Sequence, residues 1–154
     1  MPINNIWTTL WFNGAAEEAV HFYVDTFENS KITEEWKDAS GRVSALTFLL
    51  NDSKFVAING GDQVKFTPAI SFQVECKDQA EVDYYWDRLG SGGDEDKRAA
   101  GWLVDRYGVS WQIIPKKLIE AVHDTDKAGK VGAAMLQMKK IDLHELARLG
   151  LVTL

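Results

Sequence analysis

The stretch Ile6–Phe27, with the sequence IWTTLWFNGAAEEAVHFYVDTF, decides the fold because its pattern occurs twice in the chain. Alternation in its first half predicts a β-strand with Leu10 and Phe12 on one face, since successive strand side chains point to opposite faces. Gly14 interrupts the alternation, and the apolar residues after it have the spacing of an amphipathic helix. The stretch therefore predicts a strand, a turn and a helix.

The same pattern returns 62 positions later. The aligned pairs, first copy before second, are Leu10 with Phe72, Phe12 with Val74, Val20 with Val82, Phe22 with Tyr84, Tyr23 with Tyr85, and Phe27 with Leu89. In the second copy Asp78 is a good N-cap, Glu81 completes a capping box, and Gly90 marks the helix end. Two copies of one unit commonly form a cleft, and clefts bind small molecules.

More strand-like segments follow each helix, and helical spacing follows the last strand. The expected strands are 31–37, 43–50 and 55–59 in the first copy, and 69–75 (with Ile70 on the core face), a short edge strand after the acidic loop 94–96, 102–105 and 109–114 in the second. Three tail helices are expected, near 118–122, from Val131 to Ile141 and from 143 to 149. We therefore predict an α+β fold, a single domain over residues 1–154. It consists of two β-α-β-β-β modules, 5–61 and 66–115, forming a cupped mixed sheet, with a helical tail, 116–154.

Charge and composition restrict the possible partners. The chain has 17 basic and 23 acidic residues, a net charge of −6, which argues against nucleic acid because phosphate binding needs a basic surface. No apolar run approaches the length of a membrane span, so no membrane partner is expected. The single cysteine, Cys76, excludes an intramolecular disulfide, and the first residues lack a signal-peptide pattern. A cytoplasmic location is the simplest interpretation.

Four segments resemble one known family. They are LWFNGAAEEA (10–19) with Phe22 and Tyr23, NGG (59–61), FTPAISF (66–72), and GWL through YGVSWQIIP (101–115); the tail segment AMLQMKKID (134–142) adds a further similarity. These segments are similar to those of PhnB-like proteins, often labelled 3-demethylubiquinone 3-methyltransferase. That branch belongs to the vicinal oxygen chelate superfamily, together with glyoxalase I, bleomycin-resistance proteins and extradiol dioxygenases. The resemblance implies a glyoxalase/bleomycin-resistance-like fold, a homodimer and a cup that binds a small molecule.

The residues do not indicate methyl transfer, whatever the family's label. Transfer from S-adenosylmethionine usually depends on a glycine-rich turn between a strand and a helix of a doubly wound sheet. The chain contains no G-x-G-x-x-G, and the pairs Gly60-Gly61 and Gly92-Gly93 read as turn glycines. No cofactor is expected.

The resemblance also implies where a superfamily metal would be held. The corresponding positions fall near Trp7 or Thr9, near Ala57, at Ala69 and at Gln112. None of these offers an imidazole or a carboxylate, which such a site needs. The three histidines, at positions 21, 123 and 144, fall in helical segments, where packing or solvent exposure explains them. We therefore expect no standard metal centre, although Glu75 or a residue of a second subunit could build a different one.

Strand parity predicts which side chains line the cup. The candidate ligand-binding residues are Trp7, Thr9, Trp11, Asn59, Gln73, Glu75, Trp102 and Gln112. Aromatic walls with a few amides suit a flat or apolar ligand. The alternatives are that Trp7 and Trp11 fill a collapsed cup, that Asn59 and Gln112 satisfy loop backbone, and that Glu75 is a solvated charge.

Three functions remain open on these residues. The first is a small-molecule-binding protein with no assignable reaction. The second is a metal-dependent lyase, isomerase or dioxygenase with a rearranged site, for which Glu75 is the one plausible ligand or base. The third is a dimeric scaffold whose cup is filled by its own tryptophans. The first is preferred because the enzyme needs at least two converging metal ligands.

Overall fold

A computed structural model describes all residues from 1 to 154. The elements of the first half are β1 (Thr8–Phe12), α1 (Ala16–Thr26), β2 (Ser30–Lys37), β3 (Val43–Leu50) and β4 (Ser53–Asn59). Those of the second half are β5 (Phe72–Cys76), α2 (Gln79–Gly90), a 3₁₀ turn (Glu95–Lys97), β6 (Trp102–Val104), β7 (Ser110–Pro115), α3 (Lys116–Val122), α4 (Ala128–Leu136) and α5 (Leu143–Arg148). The chain divides into two compact units, Met1–Phe66 and Thr67–Leu154, which we call the first and second modules. The architecture is α+β, as the sequence predicts, and the strands form two mixed sheets, one in each module.

In the first module the strand order is β1-β4-β3-β2, with β1 parallel to β4 and the other pairs antiparallel. One face of this sheet packs against α1 and forms the core. The core residues of that face and helix include Leu10, Phe12, Ala19, Val20, Tyr23, Leu46, Phe48, Phe55 and Ala57, all almost fully buried. The predicted strand parity is confirmed, because Leu10 and Phe12 lie on this face. The opposite side is the open face of the sheet.

In the second module the order is β5-β7-β6, with β5 parallel to β7 and β6 antiparallel to it. Its α2-facing side carries Phe72, Leu103 and Trp111, and the other side is its open face. The expected edge strand after the acidic loop is absent. The 3₁₀ turn occupies that place, because the Asp94 side chain accepts from the Asp96 backbone N–H at 3.0 Å and caps a turn.

The placement of Ile70 on the core face was wrong, since this side chain is 71% exposed and precedes β5. Pro68 has no N–H to donate to a sheet ladder, and the chain turns at residues 68–70. The Thr67 hydroxyl reinforces this turn by accepting from the Ala69 backbone N–H at 3.3 Å. The strand therefore begins at Phe72, three residues later than the alternation indicates.

The capping of α2 agrees closely with the sequence. Asp78 Oδ1 accepts from the Glu81 backbone N–H at 3.0 Å, and Glu81 Oε2 accepts in return from the Lys77 backbone N–H at 2.8 Å. The glutamate thus bonds the residue before the N-cap, Lys77, rather than the N-cap itself. These two bonds satisfy exposed donors at the helix start and fix where α2 begins.

The tail helices of the second module pack around Ile114. The cluster of buried residues is Ile114, Leu118, Ala121, Val131, Ile141, Leu143, Leu146 and Leu151. Helix α4 ends at Leu136 rather than continuing to Ile141, because the following segment pairs with another part of the chain. The carbonyl groups of Met138 and Lys139 accept from Ala100 and Gly101 N–H at 2.7 and 2.8 Å. No helix of the chain has the length and hydropathy that crossing a membrane requires.

Candidate functional site

Trp11 lies on the open face of the first sheet, where a hydrogen bond and close packing hold its indole. The Nε1 group donates to the carbonyl oxygen of Gly61 at 3.0 Å. The ring lies so close to Gly60 that a Cβ added there would be 2.2 Å from its Cε2 atom. Trp11 is half-buried in this arrangement. It therefore packs against the chain that follows β4, and only part of its ring surface faces outward.

Thr9 and Trp7 lie at the same edge of the first module. Thr9 is exposed and adjacent to Val56 in the parallel ladder. Trp7 precedes β1 and is 39% exposed, with the Lys54 ammonium 5.5 Å from the centroid of its ring. A cation over an indole at this distance is weakly stabilising at an exposed position. These two predicted residues stay available to a ligand.

Both polar atoms of the Asn59 side chain form hydrogen bonds with the backbone. Its Oδ1 accepts from the Ala16 N–H at 2.9 Å, and its Nδ2 donates to the Val43 carbonyl oxygen at 3.0 Å. In the ladder it is paired with Phe12, on the side of the sheet that α1 covers. The side chain caps the first turn of α1, which has no cap of its own because Ala15 stands at the N-cap position.

Three of the predicted residues form one row across the second sheet. Gln73 is paired with Gln112 across β5 and β7, and Gln112 is paired with Trp102 across β7 and β6. Opposite residues of an antiparallel pair, such as Gln112 and Trp102, have Cβ atoms about 4.5–5.5 Å apart. The Gln112 amide is oriented by donating from Nε2 to the Ser71 hydroxyl at 2.9 Å. The ladder therefore brings two amides and an indole together on the open face.

Glu75 extends this group along β5. It is exposed and lies opposite Ile114 in the ladder, on the same face as Gln73. Ile114 is 5% exposed because the tail cluster covers it, so the open face ends at this point. Glu75 thus adds one solvated carboxylate at the boundary of the amide row.

The positions where the superfamily holds a metal do not fit one in this chain. Ala57 pairs with Leu10 and is fully buried on the α1 side, so our placement of it in the cup was wrong. The side chains of β4 that lie on the open face are Lys54, Val56 and Ile58. Ala69 is exposed and outside any strand. The donor set at these positions contains no imidazole or carboxylate, which divalent transition metals require.

The histidines and the cysteine lie elsewhere. His21, His123 and His144 are all exposed and lie in or next to helices, and no group of three or more histidine, cysteine, aspartate or glutamate side chains converges in the chain. Cys76 is fully buried, and burial, reinforced by the nearby carboxylates, raises the pKa of its thiol to about 12. A thiol in that state is not a nucleophile.

Two buried polar residues escaped sequence reasoning. Asp105 closes the β6–β7 turn: its Oδ1 accepts from the N–H groups of Tyr107 and Val109, and its Oδ2 accepts from Trp111 Nε1 at 2.9 Å. Ser110 is 2% exposed, and its hydroxyl has no partner. The D-x-x-G run from Asp105 to Gly108 could have signalled the turn. Nothing in the sequence distinguishes Ser110 from an ordinary strand serine.

A separate cleft of about 590 Å³ opens in the first module at the start of α1. Its polar lining is Glu17, Lys37, Asp38, Arg42, Ser44 and Asn59. The Ser40 hydroxyl and the Arg42 backbone N–H donate to Asp38 and hold the pKa of its carboxyl below the usual range. The lining has two acidic and two basic side chains. Asn59 is the only one of the eight predicted ligand-binding residues in this cleft.

Comparison with solved structures shows which class of fold the chain has. The fold resembles the fosfomycin resistance protein FosX of Listeria monocytogenes, solved with Mn(II) and sulfate, at 19% identity and a TM-score of 0.53, over 73% of this chain and 92% of that one. It also resembles protein PA1353 of Pseudomonas aeruginosa, at 17% identity and a TM-score of 0.57, over 73% and 98%. The fold is therefore that of the glyoxalase-like, vicinal oxygen chelate proteins.

The family follows from a nearer relative. A putative 3-demethylubiquinone-9 3-methyltransferase, a PhnB protein from Bacillus cereus, is 34% identical, with a TM-score of 0.67, over 73% of this chain and 99% of that one. The family described as 3-demethylubiquinone-9 3-methyltransferase matches residues 4–114. The chain belongs to this family of PhnB-like proteins. The matched range stops before the tail segment 134–142. No curated protein matches the chain.

Proposed function

We propose that this protein binds a small molecule on the open face of a sheet and does so without the superfamily metal. The observation that carries the proposal is the row of Gln73, Gln112 and Trp102 on three adjacent strands. Two amides beside an indole present donors, acceptors and a flat apolar surface together, which is the composition of a site for a flat, partly polar ligand.

The open face of the first module carries aromatic side chains of its own. Trp7 and Thr9 are exposed, and Trp11 keeps part of its indole uncovered. Asn59 has both halves of its amide bonded to backbone, so its contribution is to hold the start of α1 in place. Glu75 supplies the single carboxylate of the second module's open face, where it favours a ligand with a positive or N–H-bearing group.

No reaction is assigned. Methyl transfer needs a bound methyl donor, and the two mixed sheets offer neither a doubly wound sheet nor a glycine-rich phosphate turn. The competing proposal is a metal-dependent enzyme with a rearranged site. It needs at least two converging carboxylates or imidazoles, and Glu75 stands alone on the open face of the second module.

Metal analysis separates the two proposals. Elemental analysis of purified, untagged protein, with thermal shifts against divalent metals, should find no stoichiometric metal and no metal-dependent rise in melting temperature. Stoichiometric metal or a clear rise would put the enzyme first. Binding itself is tested by quenching of tryptophan fluorescence with a panel of aromatic compounds. Gln112→Ala should weaken any binding found, whereas Gln137→Ala, at an exposed position after α4, should not.

We further propose that the protein is a homodimer in the cytoplasm. Large apolar side chains remain exposed, including Ile70 at 71%, Trp36 at 46% and Leu136 at 76%, and association would bury some of them. Light scattering during size-exclusion chromatography should give twice the 17.3 kDa chain mass. The single reduced cysteine supports the cytoplasmic location, which cell fractionation tests.

A further inference from the structure

Ser110 holds an unsatisfied hydroxyl beside the amide row. It lies on β7 opposite Val104 of β6, two residues before Gln112. Because side chains of a strand alternate with a period of two, Ser110 and Gln112 share the open face, while Trp111 points to the α2 side. The Ser110 side-chain oxygen is buried and makes no hydrogen bond.

An orphan hydroxyl of this kind destabilises a fold, because the buried group has lost its water without gaining a partner. Alanine would fill the same place at nearly the same volume without that cost. Such a group in a native structure needs an explanation, and a functional role that costs stability is one.

The neighbouring amide has a complementary atom to offer. Gln112 donates from Nε2 to the Ser71 hydroxyl, so its Oε1 is the part left to accept. The Ser110 hydroxyl can donate. The two side chains therefore present a donor and an acceptor on one face, with the half-buried Trp102 opposite Gln112 as a flat surface.

We propose that Ser110 and Gln112 together bind a carboxamide-like group on an aromatic ligand. The ligand's carbonyl oxygen accepts from the Ser110 hydroxyl, its N–H donates to Gln112 Oε1, and its ring lies against Trp102. The Ser110 oxygen is closed to solvent, so binding requires the side chains that cover it to move aside. This inference rests on the proposed binding function and names the ligand class for the same face.

The test uses two probes that share the ring and the carbonyl and differ in whether the amide nitrogen carries hydrogens or methyl groups. Benzamide carries the carbonyl and the N–H, and N,N-dimethylbenzamide keeps the ring and carbonyl but has no N–H. Binding to the full-length protein is measured by chemical-shift titration of the backbone and indole N–H signals. Benzamide should bind with shifts at residues 102 and 110–112, and dimethylation should weaken it about three- to tenfold, as loss of one neutral hydrogen bond does.

The variants are Ser110→Ala and, as a matched control, Ser53→Ala at an exposed strand position of the first module. Ser110→Ala should weaken benzamide about three- to tenfold and leave the melting temperature equal or higher, while the control changes neither. A lower melting temperature for Ser110→Ala, beyond that of the control, would show a structural hydroxyl and overturn the inference.

The two proposals fail in different ways. If both probes bind the wild type and Ser110→Ala equally, the protein binds small aromatic molecules but the carboxamide assignment is wrong. If neither probe nor any compound of the aromatic panel shifts a signal or quenches a tryptophan, the proposed function itself fails, and this inference fails with it.

Discussion

The indole Nε1 of Trp11 donates to the carbonyl oxygen of Gly61 at 3.0 Å, and so joins the end of β1 to the loop that follows β4. The two residues are 50 positions apart, and the bond supplements the parallel ladder between the same strands. A residue that the sequence assigns to ligand binding therefore also stabilises the first module.

Replacing Trp11 should lower stability in two steps. Trp11→Phe keeps a ring over Gly60 and loses the hydrogen bond, so the free energy of unfolding should fall by about 1 kcal/mol. Trp11→Ala also removes the packing of a half-buried indole and should cost about 2–4 kcal/mol. Urea unfolding measures both. A Trp11→Ala protein as stable as the wild type would mean that the ring serves ligand binding alone.

The close approach of Gly60 to the same ring gives a second prediction. In Gly60→Ala the new Cβ would meet the indole at 2.2 Å, so the ring must move and the unfolding free energy should fall by about 1–3 kcal/mol. Gly129→Ala is the matched control, because it lies in α4 with open space around it and should be neutral or slightly stabilising. Equal stability of the two variants would contradict this packing.

Asn59 should behave as a structural residue. Asn59→Ala leaves the Ala16 N–H and the Val43 carbonyl without their partner and should cost about 1–3 kcal/mol. Asn59→Asp keeps the acceptor for Ala16 but places a carboxylate against the Val43 carbonyl, so it should also destabilise the module. Thermal and urea unfolding check this. If Asn59→Ala left stability unchanged and lowered ligand affinity, Asn59 would be a ligand-contacting residue.

The ion pair between Lys140 and Asp83 should make the attachment of the tail to α2 depend on pH. Their nearest atoms are 2.8 Å apart, and hydrogen bonds from Lys140 and then Gln79 lower the pKa of Asp83. Because the pKa of Asp83 is lower in the folded protein, its carboxylate stabilises the fold at pH values above the unfolded-state pKa. This stabilisation is lost as the pH falls below about 4. Because both side chains are more than a third exposed, the effect at neutral pH should be at most about 1 kcal/mol.

That pH dependence is measured with Asp83→Asn. Its unfolding free energy should be lower than the wild type's near neutral pH, and the difference should shrink toward about pH 2. High salt should reduce the difference only partly, since Gln79 also donates to Asp83. A difference that does not vary with pH would indicate that the carboxylate charge is unimportant.

Cys76 should react only when the second module opens. Its thiol is buried, and burial raises its pKa to about 12, so little thiolate forms near neutral pH. Iodoacetamide should therefore label the native protein at least about a hundredfold more slowly than the protein in urea. A Cys76→Ser variant carrying an exposed thiol from Ser53→Cys provides the rapid control. Rapid labelling of native Cys76 would contradict its burial.

Most of the first module follows from local sequence. The alternation in β1 and β3, the spacing in α1 and the turn residues between them each act over a few positions, and the structure agrees with them closely. The structure of the second module differs from the prediction where contacts between distant residues determine the local structure. Pro68 delays β5, a capped 3₁₀ turn replaces an edge strand, and pairing of Met138 and Lys139 with residues 100–101 ends α4 early.

The candidate site divides in the same way. Strand parity placed Gln73 and Gln112 on one face, but the ladder register that aligns them with Trp102 in a single row belongs to the folded sheet. Parity failed for Ala57 and Asn59, because their face depends on which residues of β1 they pair with. The assignments of ligand contact remain predictions for all eight residues.

The sequence by itself determined the α+β class, the strands and helices of the first module, the cap of α2 and the family, because periodicity, caps and motifs are local properties of the chain. Only the tertiary structure decided which polar side chains form hydrogen bonds with the backbone and which remain without a partner. Asn59 and Asp105 are bound by N–H groups that come near them only after folding, whereas the Ser110 hydroxyl is buried without a partner. A hydrogen bond depends on distances of a few ångströms between atoms, and folding sets those distances.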